Sequence, residues 1–164
     1  MTLRVCFVCT GNICRSPMAE VVLRSMAIAS PTAAGTLADM VEVSSAGTGP
    51  WHVGEPMDPR AVTALAAAGY HDPGHRARQF LVAWLDHLDL AVCLDRRHQE
   101  TLRGLAGRNV HKLELLRRFD PTAGGDLDVP DPYYGGPGDF DRVLATIEAA
   151  CRGLVAEVGR RAGA

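Results

Sequence analysis

The passage from a buried strand into a helix, over residues 3–18, constrains this chain most. Leu3-Arg4-Val5-Cys6-Phe7-Val8 is a short apolar, β-rich run that stops abruptly at turn residues, the pattern of a buried strand. Pro17 sits where proline is tolerated, in the first turn of a helix, and Met18, Val21, Val22, Leu23, Met26 and Ala27 then follow at helical spacing to about Ser30. The rest of the chain repeats that alternation. Val41–Ser45 reads as a second strand. Asp58-Pro59 opens a helix through Ala61, Leu65 and Ala68, with Gly69 suited to its C-terminal cap. Leu88–Leu94 reads as a third strand, Arg96 to about Leu105 as a polar helix, and Asn109–Lys112 as a short fourth strand. A loop rich in Pro, Gly and Asp covers 120–138. A last helix is expected from Asp139 to about Arg160, apolar at Phe140, Val143, Leu144, Ile147, Leu154, Val155 and Val158. Strands alternating with helices predict an α/β domain around a parallel sheet.

In such a sheet, ligands sit at the carboxyl ends of strands, where helix N-termini favour anions. The loop Cys9-Thr10-Gly11-Asn12-Ile13-Cys14-Arg15-Ser16 occupies that place. Gly11 and Asn12 adopt positive φ cheaply, so the backbone N–H groups of residues 10–16 can turn inward as a nest for phosphate oxygens. Arg15 offers a planar fork that can grip two of those oxygens. Cys9 would lie beneath the phosphorus, and both the helix dipole and the guanidinium favour its thiolate. Ser16 can donate a hydroxyl to that sulfur or tie the loop down.

Bulk properties narrow the alternatives. A length of 164 residues fits a single domain spanning 1–164, large enough to bury a core. A net charge of -2 gives no reason to propose nucleic acid or an anionic membrane as partner. The first fifteen residues lack the layout of a secretory signal, and no segment approaches the ~18 apolar residues of a membrane span. The cysteines at 6, 9, 14, 93 and 151 form neither a disulfide framework nor paired metal ligands, so a reducing cytoplasm is the default. The scattered histidines do not support a metal site.

Val8-Cys9-Thr10-Gly11-Asn12-Ile13-Cys14-Arg15-Ser16-Pro17-Met18-Ala19-Glu20 resembles the signature of the low-molecular-weight protein tyrosine phosphatases. Ser44-Ser45-Ala46-Gly47-Thr48, His75-Arg76-Ala77-Arg78-Gln79 and Asp128-Val129-Pro130-Asp131-Pro132-Tyr133-Tyr134-Gly135 match further blocks in the family's order, over residues 4 to about 155. Gly49-Pro50-Trp51-His52-Val53-Gly54 looks most like the actinobacterial members. The resemblance implies a three-layer α/β/α sandwich with a four-stranded parallel sheet of order 2-1-3-4. It also implies hydrolysis of aryl phosphate monoesters through a phosphocysteine on Cys9.

A thiolate that expels a phenoxide benefits from a proton donor. Asp126, Asp128 and Asp131 are candidates. Asp131 is held between Pro130 and Pro132, whose φ angles are fixed, and it matches the family's general acid. The resemblance assigns Trp51 and Tyr133 to the walls around a phenyl ring; Tyr134 either shares that role or packs against the domain. Asn12, Ser16, Ser45 and His75 match a hydrogen-bond network that shapes the loop. Asp95 matches a supporting position and is otherwise a helix cap. Cys14 reads as a small apolar filler. In the family, a Cys there forms a reversible disulfide with the nucleophile under oxidation. The implied partners are tyrosine-phosphorylated proteins, with phosphate as product and inhibitor. No metal or organic cofactor is implied, and the protein is expected to be cytoplasmic, as a monomer or weak dimer. Two rivals remain: an arsenate reductase on the same scaffold, which needs a further cysteine pair where the middle of the chain offers Cys93 alone, and a phosphotyrosine-binding or redox adaptor without catalysis. Asp131 argues against the second.

Overall fold

A computed structural model describes residues 1–164. Strands β1 (Leu3–Cys9), β2 (Val41–Gly47), β3 (Leu90–Cys93) and β4 (Leu113–Leu115) form a parallel sheet in the order β2-β1-β3-β4. This is the 2-1-3-4 arrangement expected. Central β1 is buried on both faces, so it reads as an unbroken apolar run. Its side chains divide by parity. Val5 and Phe7 join Val43, Leu90 and Val92 in a core with helices α1 (Arg15–Ile28), α2 (Pro59–Ala67) and α4 (Pro137–Ala162). Cys6 and Val8 face the other way, with Ala91, Cys93, Leu113 and Leu115, onto Leu102 and Ala106 of α3 (Arg96–Ala106). Each fully buried Leu, Ile or Phe in these layers contributes about 1.5–3 kcal/mol.

The structure corrects one strand. Asn109–Lys112 lies in a 3₁₀ segment, Gly107–Lys112, and β4 begins only at Leu113. The polar residues there are claimed by tertiary bonds: Asn109 donates to Asp86 and Lys112 to the Leu85 carbonyl. Leu113 and Leu115, which can alternate into the core, carry the ladder with β3. β3 is also shorter than predicted, because Leu88 N–H bonds the Trp84 carbonyl four residues back, which ties Leu88 to the 3₁₀ segment Val82–Asp86. Gly69 does end α2, with φ at 88°. A two-stranded hairpin, Pro31–Thr32 with Gly35–Thr36, follows α1 and had no expected counterpart.

Candidate active site

The loop from Cys9 to Ser16 joins β1 to α1, at the carboxyl edge of the sheet. Its neighbours tie it down through the backbone. Thr48 N–H donates to Cys9 O at 2.8 Å, Gly49 N–H to Thr10 O at 3.1 Å, and Asp58 N–H to Ile13 O at 2.9 Å. Asn12 is the sole non-glycine residue with positive φ, 58°. Gly11 does not share that conformation. An added Cβ would lie 2.7 Å from a His52 ring carbon, so a larger residue there would have to move that ring.

Asn12 holds this conformation with every side-chain polar atom engaged. Its amide nitrogen donates to Ser16 Oγ at 2.8 Å and to Ser45 Oγ at 2.9 Å, while Oδ1 accepts from Arg78 N–H at 3.0 Å. His75 Nε2 donates to the Asn12 carbonyl at 2.6 Å, since a carbonyl can only accept. Ser45 in turn donates to the buried Glu20 carboxylate at 2.7 Å. Ser16, which accepts from Asn12, retains its own hydroxyl hydrogen, and its Oγ lies 2.9 Å from Cys9 Sγ.

Arg15 is 3% exposed, so its charge is held by protein groups rather than water. Nη1 donates to Asp95 Oδ2 at 2.8 Å and to Val129 O at 2.9 Å. Nη2 stands 3.6 Å from Asp131 Oδ2. Burial pushes the Asp95 carboxyl up, but the His98 ring, the Arg15 bond and the His98 backbone N–H outweigh it and hold it below the usual carboxylate range. Asp95 also caps α3, its Oδ1 accepting from His98 N–H at 3.1 Å.

Cys9, Thr10, Gly11, Ile13, Cys14 and Arg15 floor a cleft of ≈ 390 Å³ whose walls are Trp51, His52, Asp131, Tyr133 and Tyr134. That volume suits a small ligand group. Trp51 and Tyr134 are 68% and 92% exposed, and the Tyr133 and Tyr134 rings meet edge to face with centroids 4.9 Å apart. Asp131 accepts from Tyr133 N–H at 3.1 Å through Oδ1 and turns Oδ2 toward Arg15. Arg60, paired with Asp58, donates to the Tyr133 and Gly135 carbonyls and so clamps this loop. Asp126 and Asp128 sit elsewhere, on Arg117 and on Arg96 N–H respectively.

The other four cysteines are buried thiols. Burial pushes the Cys6 thiol up to about 11 and the Cys93 thiol up to about 12. Burial likewise raises Cys14 and Cys151, and the Asp58 carboxylate and Cys9 add to the effect on Cys14. No three His, Cys, Asp or Glu side chains converge in a way that could hold a metal ion. No helix is long and apolar enough to cross a membrane.

Sequence reasoning missed His98, Glu20, Arg60 and His52. Glu20 and His52 fall inside the matched blocks but carry no local signal of their contacts. His98 and Arg60 reach the site from helix N-termini distant in sequence.

A family model described as low molecular weight phosphotyrosine protein phosphatase matches residues 4–163. The chain is 56% identical over 161 residues to a low molecular weight protein-tyrosine-phosphatase of Streptomyces coelicolor, covering 96% of this chain and 94% of that one. It is 50% identical over 155 residues to low molecular weight protein-tyrosine phosphatase A of Mycobacterium tuberculosis, covering 93% and 89%. Among solved structures, a protein tyrosine phosphatase from Entamoeba histolytica with Hepes in its active site superposes at a TM-score of 0.89, with 28% identity and coverage of 98% and 99%. YfkJ from Bacillus subtilis superposes at 0.87, with 34% identity and coverage of 98% and 97%. With its sheet order and these likenesses over nearly all its length, this chain belongs to the low molecular weight phosphotyrosine protein phosphatase family.

Proposed function

We propose that this protein is a phosphotyrosine hydrolase that works through a phosphocysteine on Cys9. The observation that carries the reading is the convergence, in one cleft, of Cys9 beside Ser16, the buried Arg15, and Asp131 Oδ2 at 3.6 Å from that guanidinium. The phosphoryl dianion binds the N–H groups of residues 10–16 and the Arg15 positions not spent on Asp95 and Val129. The Cys9 thiolate attacks phosphorus in line, and the tyrosyl oxygen leaves with a proton from Asp131. In the second step Asp131, now a carboxylate, takes a proton from water. That water attacks phosphorus, inorganic phosphate departs, and Cys9 leaves as a thiolate that accepts from Ser16.

Trp51, Tyr133 and Tyr134 flank the floor as flat surfaces for the phenyl ring, which supports tyrosine-phosphorylated proteins as substrates. Phosphate, the product, competes for the same loop. Residues 1–164 act as one domain in the cytoplasm, as a monomer or a weak dimer, without metal or organic cofactor. Peroxide oxidises the Cys9 thiolate to a sulfenic acid; Cys14 then attacks that sulfur, water leaves, and a disulfide forms that a dithiol reverses. An arsenate-reducing relay has little support, because Cys6, Cys93 and Cys151 are all buried away from the cleft. Turnover of p-nitrophenyl phosphate and a phosphotyrosine peptide in EDTA and dithiol tests the reading. Cys9→Ser should abolish turnover and still bind phosphate; a wild-type protein inactive on both substrates would overturn it.

A further inference from the structure

His98 lies 3% exposed at the start of α3, and its ring reaches two parts of the phosphate machinery. Nε2 is 2.9 Å from Thr10 Oγ1 and 3.4 Å from Arg15 Nη2. Nδ1 is 3.2 Å from Asp95 Oδ1 and also 3.2 Å from the Asp95 backbone N, whose N–H points at it as a donor. These contacts assign the proton. A neutral ring has one acceptor nitrogen, and donors face both: Arg15 and the Thr10 hydroxyl at Nε2, and the Asp95 N–H at Nδ1. The guanidinium can only donate, whereas Nδ1 also has the Asp95 carboxylate to donate to, so Nε2 is the better acceptor, at the loss of the Asp95 N–H bond. The imidazole proton then sits on Nδ1, facing the Asp95 carboxylate.

Asp95, His98 and Arg15 thereby close a ring of contacts. Asp95 Oδ2 and Val129 O take both Nη1 hydrogens of Arg15, and His98 takes one from Nη2. The Arg15 Nε–H and the second Nη2 hydrogen stay free, on adjacent atoms of one planar edge, the pair suited to two phosphoryl oxygens. Thr10, the first residue after the nucleophile, is anchored by the same ring.

We propose that His98 is a positioning residue of this site: a neutral imidazole acceptor that sets the edge of Arg15 and the place of Thr10 for the phosphoryl group. A protonated ring would reverse that role, because it would present an N–H to Arg15. Burial, followed by the charge of Arg15, holds the His98 ring down to about 4, while Asp95, Asp131 and Asp128 pull the other way. The ring is therefore neutral over the ordinary working range.

This inference rests on the phosphatase reading, and the two fail separately: wild-type turnover tests the reading, while the order of the variants tests His98. In His98→Gln the amide oxygen can reach the Nε2 position and accept without titrating. His98→Leu fills the space and accepts nothing. We expect His98→Leu to lose about 10- to 100-fold in kcat/KM, with inorganic phosphate inhibiting correspondingly more weakly, as for a misplaced binding group. His98→Gln should recover to within about 3-fold of wild type. Equal values for Gln and Leu, or a fully active Leu variant, would overturn the proposal. Nitrogen NMR of the wild-type imidazole with phosphate bound adds a test that needs no variant. It should show an unprotonated Nε2 between pH 5.5 and 8, and a proton on Nε2 there would sink the proposal even if both variants failed to fold.

Discussion

Replacing Gly47 by alanine should cost the enzyme most of its turnover while sparing the fold. Gly47 ends β2 and pairs in register with Cys9 at the end of β1. A Cβ there would lie 2.6 Å from the Thr10 carbonyl oxygen, 3.1 Å from the Gly11 carbonyl carbon and 3.2 Å from Asn12 N. All three neighbours are backbone atoms of the Cys9–Ser16 loop, so no side chain can rotate aside. Restoring ordinary contact requires the loop to retreat by nearly ~1 Å at Thr10. That shift strains the bonds from Thr48 and Gly49 to the Cys9 and Thr10 carbonyls, and moves the N–H nest relative to Arg15, which the Asp95 side holds in place. Misplacement on this scale costs about 10²-fold in rate, and the overpacking costs about 1–3 kcal/mol of stability. The assay is kcat and kcat/KM on p-nitrophenyl phosphate, with thermal unfolding alongside. Gly104→Ala is the control: it lies on exposed helix α3 with nothing within 4 Å of the added Cβ, and should be active and slightly more stable. A Gly47→Ala enzyme within about 3-fold of wild type would refute the claim that loop position, at this tolerance, governs the chemistry.

His98 makes stability depend on pH in a defined window. Its folded value of about 4 lies below the ordinary 6.5, so the unfolded chain binds a proton that the native ring refuses. The contribution is complete above 6.5 and drains as pH falls toward 4, by up to ~3 kcal/mol, and urea melts should show a shallower slope for His98→Gln. Asp131→Asn should slow alkyl and unactivated phenyl phosphates by about 10²–10⁴-fold but p-nitrophenyl phosphate far less; equal slowing would make Asp131 structural. Cys14→Ser should keep substantial turnover in dithiol yet fail to recover after peroxide treatment, measured as activity regained on adding dithiol.

What was legible in the sequence follows from how far apart the contributing residues lie. The Cys9–Ser16 loop is contiguous, so residue type and order alone place a strand–loop–helix passage there, which the structure has. β1 was clear because burial on both faces removes polar interruptions. β4 was misplaced by a few residues because it is only three residues long, and its Leu-Glu-Leu alternation is too short to compete with the preceding polar run. Asp95 could be read as a helix cap, but its second oxygen, on Arg15, could not. Glu20, Arg60 and His98 act through side-chain contacts made only when α1, α2 and α3 have docked on the sheet, and no periodicity encodes such contacts.

The central claim is that the phosphoryl group passes through Cys9. Acid-quenching the Asp131→Asn enzyme during turnover of p-nitrophenyl phosphate, followed by peptide mass spectrometry, tests it directly. The prediction is a phosphoryl group on the peptide that carries Cys9, absent from a Cys9→Ala protein that also fails to turn over. Turnover by Cys9→Ala, or a phosphoryl group on any other residue, would contradict the account.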